Sequence, residues 1–180
     1  MYDVQTCRTE IQDGMTLERL TESVRTLPER LPVMIGEVLR GHEHDIMELQ
    51  RIQLLEGKDS DGKDIHPFYT EDLKPQGYFH SAQSAARYAA WKEDISYPFS
   101  VSRNHNAPNL YITGKFHEEL GCVFGTQAMQ IAPMTGYAAA IVAKYGRNTF
   151  GLSWEKWDTL FNERGVKDEI VETFKRMLYD

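Results

Sequence analysis

The stretch from Asn109 to Ser153 constrains the fold most, because its residues indicate turns, strands and helices in a definite order. A short segment closes on Thr113-Gly114, two apolar runs flank Gly125-Thr126-Gln127, and an alanine-rich run ends at Gly146. Two apolar runs around a glycine-containing turn predict a β-hairpin, and a glycine directly after a helical run is typical of a helix C-terminus. The informative residues therefore specify shape more than chemistry.

The bulk composition is that of a folded, acidic protein. The chain has 180 residues, of which 41% are apolar and 26% charged, enough for one domain with a core of its own. The net charge of -7 argues against a broad cationic surface, so no sequence-specific nucleic-acid partner is expected. No run approaches the ~20 apolar residues of a membrane span, and no membrane partner is expected.

The two cysteines, Cys7 and Cys122, lie far apart in dissimilar contexts, and we expect both to be free thiols. The first residues lack the charged start and apolar run of a signal peptide. Together these features predict a protein that is made, and at first kept, inside a cell.

The first part of the chain is predicted to be helical after an irregular segment over residues 1–14. Thr16 can cap a helix that starts beside it. Pro28 and Pro32 are expected to interrupt that helix before a second and longer one begins. Residues 15–57 are therefore expected to form a helical N-terminal region.

Residues 58–108 are predicted as an extended arm followed by an inserted helix. The extended arm is residues 58–80, with Asp61-Gly62 as the apex of its first turn, and it is expected to bury little of its own surface. Ser81 can cap a helix that runs from Ala82 to about Ile95.

The fold class predicted from these elements is α+β. A small antiparallel sheet is flanked by helices, with a long N-terminal helix and the extended arm. Residues 109–180 hold the hairpin and the C-terminal helices, and the chain is expected to form one domain overall. Residues 96–108 are expected to be an exposed loop, and Leu110-Tyr111-Ile112 to be buried.

The clusters of ionisable residues do not match metal-binding patterns. His42 and His44 are two positions apart, so on a helix they point ~160° away from each other, unlike the pair in His-Glu-x-x-His. The run Asp59–Asp64 superficially resembles a calcium loop, but its glycine stands fourth instead of sixth and Thr70 takes the twelfth place. No metal site and no cofactor are therefore expected.

Nucleophiles and acid–base pairs are equally weak candidates. Cys122 lies in an apolar run, which suits an inert buried thiol, and Ser153 needs no role beyond capping the helix that follows it. Glu118 and Glu119 are neighbours that diverge on any regular backbone. We assign no catalytic residue.

Trp154 and Trp157 share one side of the helix predicted after Ser153. Packing in the core is one interpretation of this pair. A subunit contact is the other, because aromatic anchors dominate association energetics. Phe68 and Tyr69 in the extended arm are the second pair of candidate interface residues.

Six pieces of the chain follow one another in an order that matches a known family. They are Gln50 to Gly57, Asp61-Gly62-Lys63, Tyr69-Thr70 to Lys74, Leu110-Tyr-Ile-Thr-Gly-Lys-Phe116, Tyr137-Ala138 to Gly146, and Phe150-Gly-Leu-Ser153. Their order resembles that of the tail-completion and virion-morphogenesis proteins of tailed bacteriophages, which join the head to the tail. The resemblance covers roughly residues 45–180, with departures. Residues 77–108 look like an insertion, the usual family histidine is missing near Ala143, and the region before residue 45 is longer.

The resemblance implies a non-enzymatic α+β subunit in the virion neck. Such a subunit forms a ring with copies of itself and contacts other neck, portal or tail proteins. A ring requires a heterologous contact that closes on itself, and the long N-terminal helix and the extended arm are expected to reach a neighbour. Two other classes stay open: a small infection-associated hydrolase with a site of scattered carboxylates, and an acidic module that binds a host protein.

Overall fold

The computed structural model describes residues 16–125 and 128–179. The irregular segment expected at residues 1–14 and Cys7 lie outside the described residues. Within these ranges the chain has seven α-helices and one two-stranded antiparallel sheet, so the α+β prediction is confirmed. The elements are α1 (Leu17–Gly41), α2 (Glu43–Leu55), α3 (Ala82–Glu93), α4 (Lys115–Glu118), β1 (Leu120–Phe124), β2 (Met129–Pro133), α5 (Ala138–Tyr145), α6 (Trp154–Asp158) and α7 (Val166–Tyr179).

Helix α1 begins where its sequence predicts but ends later. The hydroxyl of Thr16 accepts a hydrogen bond from the backbone N–H of Arg19 at 3.3 Å, which caps the helix. The expected interruption at Pro28 and Pro32 is wrong, because both prolines lie inside α1. The helix ends at Gly41 instead, so the longest helix lies before the break and not after it. Proline inside a helix costs free energy because it removes a backbone hydrogen bond. Packing of the C-terminal half of α1 on the main core offsets this cost.

Helix α2 lies at the centre of the molecule, since seven of its 13 residues are buried. The main core combines its side chains with those of α1, the hairpin and the C-terminal helices. Its fully or almost fully buried members are Met34, Val38, Ile46, Met47, Leu49, Leu54, Ile65, Phe116, Leu120, Ile131, Leu152, Leu160 and Val166. The main core therefore joins residues from nearly the whole length of the described chain.

The hairpin predicted around residue 126 is confirmed. Strands β1 and β2 pair antiparallel, with Leu120 opposite Pro133, Cys122 opposite Ile131 and Phe124 opposite Met129. Thr126 and Gln127 at its tip lie outside the described residues.

The extended arm has little regular structure, but it does not lie free. Only isolated bridges, such as the one between Leu73 and Phe79, interrupt its turns. Its expected low burial is wrong: Ile65 enters the main core, while Tyr69 and Phe79 pack with Ala85 of α3 in a second, smaller cluster. Burial of aromatic rings against the small side chains of α3 explains why the arm docks on its own chain.

The segment between α3 and α4 also differs from expectation. Ala107 is completely buried although residues 96–108 were predicted to be exposed, and Ile112, predicted to be buried, is 54% exposed. Residues 107–109 of this segment are buried, whereas residues 112 and 113 are exposed.

A glycine inside a helical run favours a break, and the last two helices are separated at Gly165. Gly165 has φ +80°, a left-handed conformation that glycine adopts readily, and it ends the helical run that starts with α6 and continues as a π-helical turn over Thr159–Glu163. Helix α7 then runs antiparallel to α1, because Glu169 at its start contacts His42 and Met177 near its end lies beside Glu29.

Candidate interaction surfaces

The first three turns of α1, residues 17–27, are called here its projecting part. They contribute no side chain to the main core, and the residues of α1 that line a pocket together with α7 begin at Glu29. In this projecting part, Leu17 is 79% and Val24 is 52% exposed. Leu20 and Leu27 follow the same helical spacing and do not belong to the main core. An exposed apolar stripe on one helix face is typical of a surface that another protein element covers.

The tryptophan pair is divided between two environments. Trp157 packs against the main core with its ring centroid 5.7 Å from that of Phe161. Trp154, in contrast, is 84% exposed. The interpretation as core residues therefore holds for Trp157 and is wrong for Trp154, which has a free indole surface.

The two residues of the second candidate pair, Phe68 and Tyr69, also lie in different environments. Tyr69 is buried, and its ring meets that of Tyr88 edge to face at 5.1 Å. Phe68 is half-buried, with its ring centroid 3.9 Å from that of His66. Tyr69 thus has little surface to offer a neighbour, while Phe68 remains a candidate contact.

Tyrosine rings converge on a cavity of about 490 Å³ beside α3 and α5. This tyrosine cavity is lined by Tyr69, Tyr88, Tyr111, Tyr137 and Tyr145, together with Lys92. Cavities of this size with apolar walls and few polar groups are typical ligand or anchor sites in proteins.

Lys92 places a buried positive charge in the wall of the tyrosine cavity. Its side chain donates a hydrogen bond to the backbone oxygen of Tyr111, and Lys92 as a whole is only 1% exposed. Among the described residues no carboxylate lies within ion-pair distance of its Nζ. Burial lowers the pKa of Lys92 to about 8, because the interior disfavours the charged form. The ammonium is still mostly protonated at neutral pH and lacks an anion.

Sequence reasoning missed the tyrosine cavity because its walls come from distant segments. Tyr69, Tyr88 and Tyr145 belong to the arm, α3 and α5, and nothing in their spacing connects them. The one sequence feature that could have indicated it is the alanine face of α3, where Ala85 is completely buried. Small side chains there allow the aromatic rings to approach closely.

Within the histidine-rich run at the α1–α2 junction, His42 forms a charged contact, whereas Glu43 and His44 are exposed. Nδ1 of His42 lies 3.0 Å from Asp45, and its Nε2 lies 3.0 Å from Glu169 of α7. The hydrogen bond with Asp45, reinforced by Glu169 and opposed by burial, raises the pKa of His42. Arg164 also contacts Asp45, at 3.1 Å. The contacts of His42 with Glu169 and of Arg164 with Asp45 connect α7 and the turn before it to the start of α2.

The remaining side chains that could act as acids, bases or nucleophiles, namely His117, Glu118 and Cys122, lie in different environments. His117 is buried, with its Nε2 3.0 Å from the backbone oxygen of Asn109, and burial lowers its pKa to about 4. Glu118 beside it is exposed. Cys122 lies 3.3 Å from the sulfur of Met47, and burial raises its pKa to about 11, as expected for an inert thiol.

The loop Asp59–Asp64 is a polar turn, as predicted. Oδ1 of Asp59 accepts hydrogen bonds from the backbone N–H groups of Asp61 at 3.0 Å and Lys63 at 2.9 Å. In the described ranges, no group of three or more His, Cys, Asp or Glu side chains is arranged to hold a metal ion. None of the helices between residues 16 and 179, as far as they are described, has the length and apolar character to cross a membrane.

Comparison with known proteins found no matching family model, no matching curated protein and no matching solved structure.

Proposed function

We propose that this chain is a non-enzymatic structural subunit of the phage virion neck or tail-completion ring, joining head and tail through contacts between subunits. The observation that carries the proposal is the projecting part of α1, where Leu17 and Val24 expose an apolar stripe. A helix that leaves apolar side chains in water is stabilised when a neighbour covers them. Copies of this chain and other neck, portal or tail proteins are the proposed neighbours.

Contacts between two pieces of the phage-like pattern support the proposal. Gln50 and Gln53 belong to the first piece, while Gly151 and Ser153 belong to the last. The backbone N–H of Gly151 donates to Oε1 of Gln50 at 2.8 Å, and that of Ser153 donates to Oε1 of Gln53 at 2.7 Å. The two pieces therefore act as one structural unit, which gives a physical reason for their presence in the same chain.

The placement of the strongest acid–base candidates also favours a structural role. His117 is buried with a pKa of about 4, whereas Glu118 points to solvent. General acid–base catalysis needs groups that converge on one reacting centre with suitable pKa values. These two neighbours do not meet that requirement, which weighs against the hydrolase alternative.

The test uses the phage that encodes the chain. Mass spectrometry of purified particles should find the chain, and electron microscopy should place it between head and tail. A nonsense mutation in its coding sequence should leave unjoined heads and tails, and expression of the wild-type chain from a plasmid should restore joined particles. Infective, joined particles without the chain would refute the proposed function.

A further inference from the structure

We propose that Trp154 of one copy inserts into the tyrosine cavity of a neighbouring copy, with Glu155 beside it facing the lysines of that cavity. The inference rests on the proposed function, since it names a contact that would link successive subunits of the ring. It concerns a second copy of this chain and no other occupant.

The walls of the cavity suit an indole ring. Tyr88 meets Tyr69 edge to face at 5.1 Å, so the cavity presents both ring faces and ring edges. Aromatic pairs in such arrangements contribute about 0.5–1.5 kcal/mol beyond the area that they bury. A volume of about 490 Å³ leaves room for one large aromatic side chain but not for a whole helix.

The charges on the two sides are opposite. Lys92 in the wall has no carboxylate partner in the described part of its own chain. The side chain of Lys115 at the rim is 71% exposed, and its Nζ lies 3.7 Å from Oε1 of Glu119. Glu155, directly after Trp154, has an 84% exposed side chain. Its carboxylate lies 3.8 Å from Nζ of Lys156, which Glu56 also contacts at 2.8 Å, so these three side chains together carry an excess of one negative charge. An exposed aromatic ring next to this excess negative charge is the chemistry recognised by an aromatic cavity with a lysine that lacks a carboxylate partner among the described residues.

Trp154 and the cavity lie on different parts of the molecule. Helix α6 is attached to the end of α2, because Nζ of Lys156 lies 2.8 Å from Oε1 of Glu56. The cavity is lined by residues of the arm, α3, α4, α5 and the segment before α4, without any residue of α6. One copy can thus give its Trp154 to one neighbour and receive that of another, which is the head-to-tail arrangement that rings and filaments require.

The test compares a variant without the indole and a variant with a blocked cavity. Trp154→Ala removes the inserted ring, and Ile112→Glu, at the cavity rim, adds a carboxylate that repels Glu155. Both residues are exposed, 84% and 54% respectively, so the fold should be kept, which circular dichroism and urea unfolding will show. Val171→Ala on α7, at a residue 42% exposed, is the matched control.

Self-association is measured by sedimentation velocity on the full chain. We expect the wild type and Val171→Ala to associate with the same affinity, and each of the other two variants to associate at least about tenfold more weakly. An equimolar mixture of Trp154→Ala and Ile112→Glu should form a one-to-one dimer that grows no further, because only one intact contact is left.

Three results would overturn the inference: a wild type that stays monomeric at about 1 mM, variants that associate like the wild type, or a mixture that forms no dimer. The proposed function has a separate readout. Particles that contain the chain while Trp154→Ala and Ile112→Glu leave their assembly unchanged would refute this contact alone. Joined particles without the chain would refute the proposed function even if the contact forms in solution.

Discussion

The backbone N–H of Ser153 donates a hydrogen bond to Oε1 of Gln53 at 2.7 Å, although the two residues lie 100 positions apart. The Nε2 of the same amide donates to the backbone oxygen of Gly151 at 2.8 Å. Gln53 is completely buried, so one side chain fixes the entry into α6 and satisfies the buried backbone N–H of Ser153 and the part-buried carbonyl of Gly151.

We predict that Gln53→Met destabilises the chain by about 2–4 kcal/mol. The methionine fills the space of glutamine but leaves the buried N–H of Ser153 and the part-buried carbonyl of Gly151 without their partner. A buried group that loses its partner costs about 1–3 kcal/mol. Urea unfolding followed by circular dichroism measures the change in the free energy of unfolding.

The control for this prediction is Gln83→Met in α3, where the side chain is exposed. It should change the free energy of unfolding by less than about 0.5 kcal/mol. Equal effects of the two substitutions would show that the contact between Gln53 and Ser153 does not stabilise the fold.

The contacts of His42 predict in which direction the free energy of unfolding changes with pH. Its pKa is raised above the ordinary 6.5, first by Asp45 and further by Glu169, so the folded state holds the proton more tightly than the unfolded state. The resulting stabilisation is fully present below the unfolded pKa and is lost as pH rises through the higher folded pKa. The free energy of unfolding should therefore fall as pH rises from about 6.5, the ordinary pKa of histidine, through the higher pKa of the folded state, and it should fall less in His42→Gln.

NMR titration of the wild type checks the raised pKa of His42 directly. His44→Gln, at an exposed position two residues away, should keep the wild-type pH profile. A His42→Gln profile that matches the wild type would mean that the contacts of His42 with Asp45 and Glu169 do not couple to folding.

Local chemistry explains the elements that the sequence predicted correctly. Thr16 and Ser81 cap α1 and α3 through their own hydroxyls, and Gly165 ends the α6 helical run through its left-handed conformation. Each depends on residues within a few positions, so pattern reading is sufficient. The same holds for the hairpin, where the strands are joined by a short turn.

Long-range packing explains what the sequence did not reveal. Whether Pro28 and Pro32 break α1 depends on the packing of the C-terminal half of this helix on the main core. The tyrosine cavity needs Tyr88 and Tyr145 to meet across 57 positions of chain, and Lys92 is buried only because the residues around Tyr111 cover it. None of these long-range contacts produces a periodic pattern that a single sequence would show.

Gly77 and Gly36 should respond in opposite directions to alanine. A Cβ on Gly77 would lie 2.1 Å from the backbone carbon of Asp72, whereas at Gly36 no heavy atom lies within 4 Å. Gly77→Ala must therefore force the turn of the arm apart and is expected to cost at least about 1–3 kcal/mol. Gly36→Ala, inside α1, is expected to stabilise by about 1 kcal/mol through its helix propensity. Thermal unfolding of both variants measures these changes in stability. A Gly77→Ala variant as stable as the wild type would contradict the close approach of the backbone at Gly77 to the backbone at Asp72.

The projecting part of α1 should matter for assembly and not for folding. The double variant Leu17→Ser, Val24→Ser removes apolar side chains that are 79% and 52% exposed, so the free energy of unfolding of the dilute chain should change by less than about 0.5 kcal/mol per residue. Met34→Ala in the same helix, at a residue 6% exposed, should cost about 2–5 kcal/mol. Incorporation into phage particles, measured by quantitative mass spectrometry, should fall sharply in the double variant. A double variant that loses as much stability as Met34→Ala would place the stripe inside the fold, and unchanged incorporation would remove α1 from the subunit contacts.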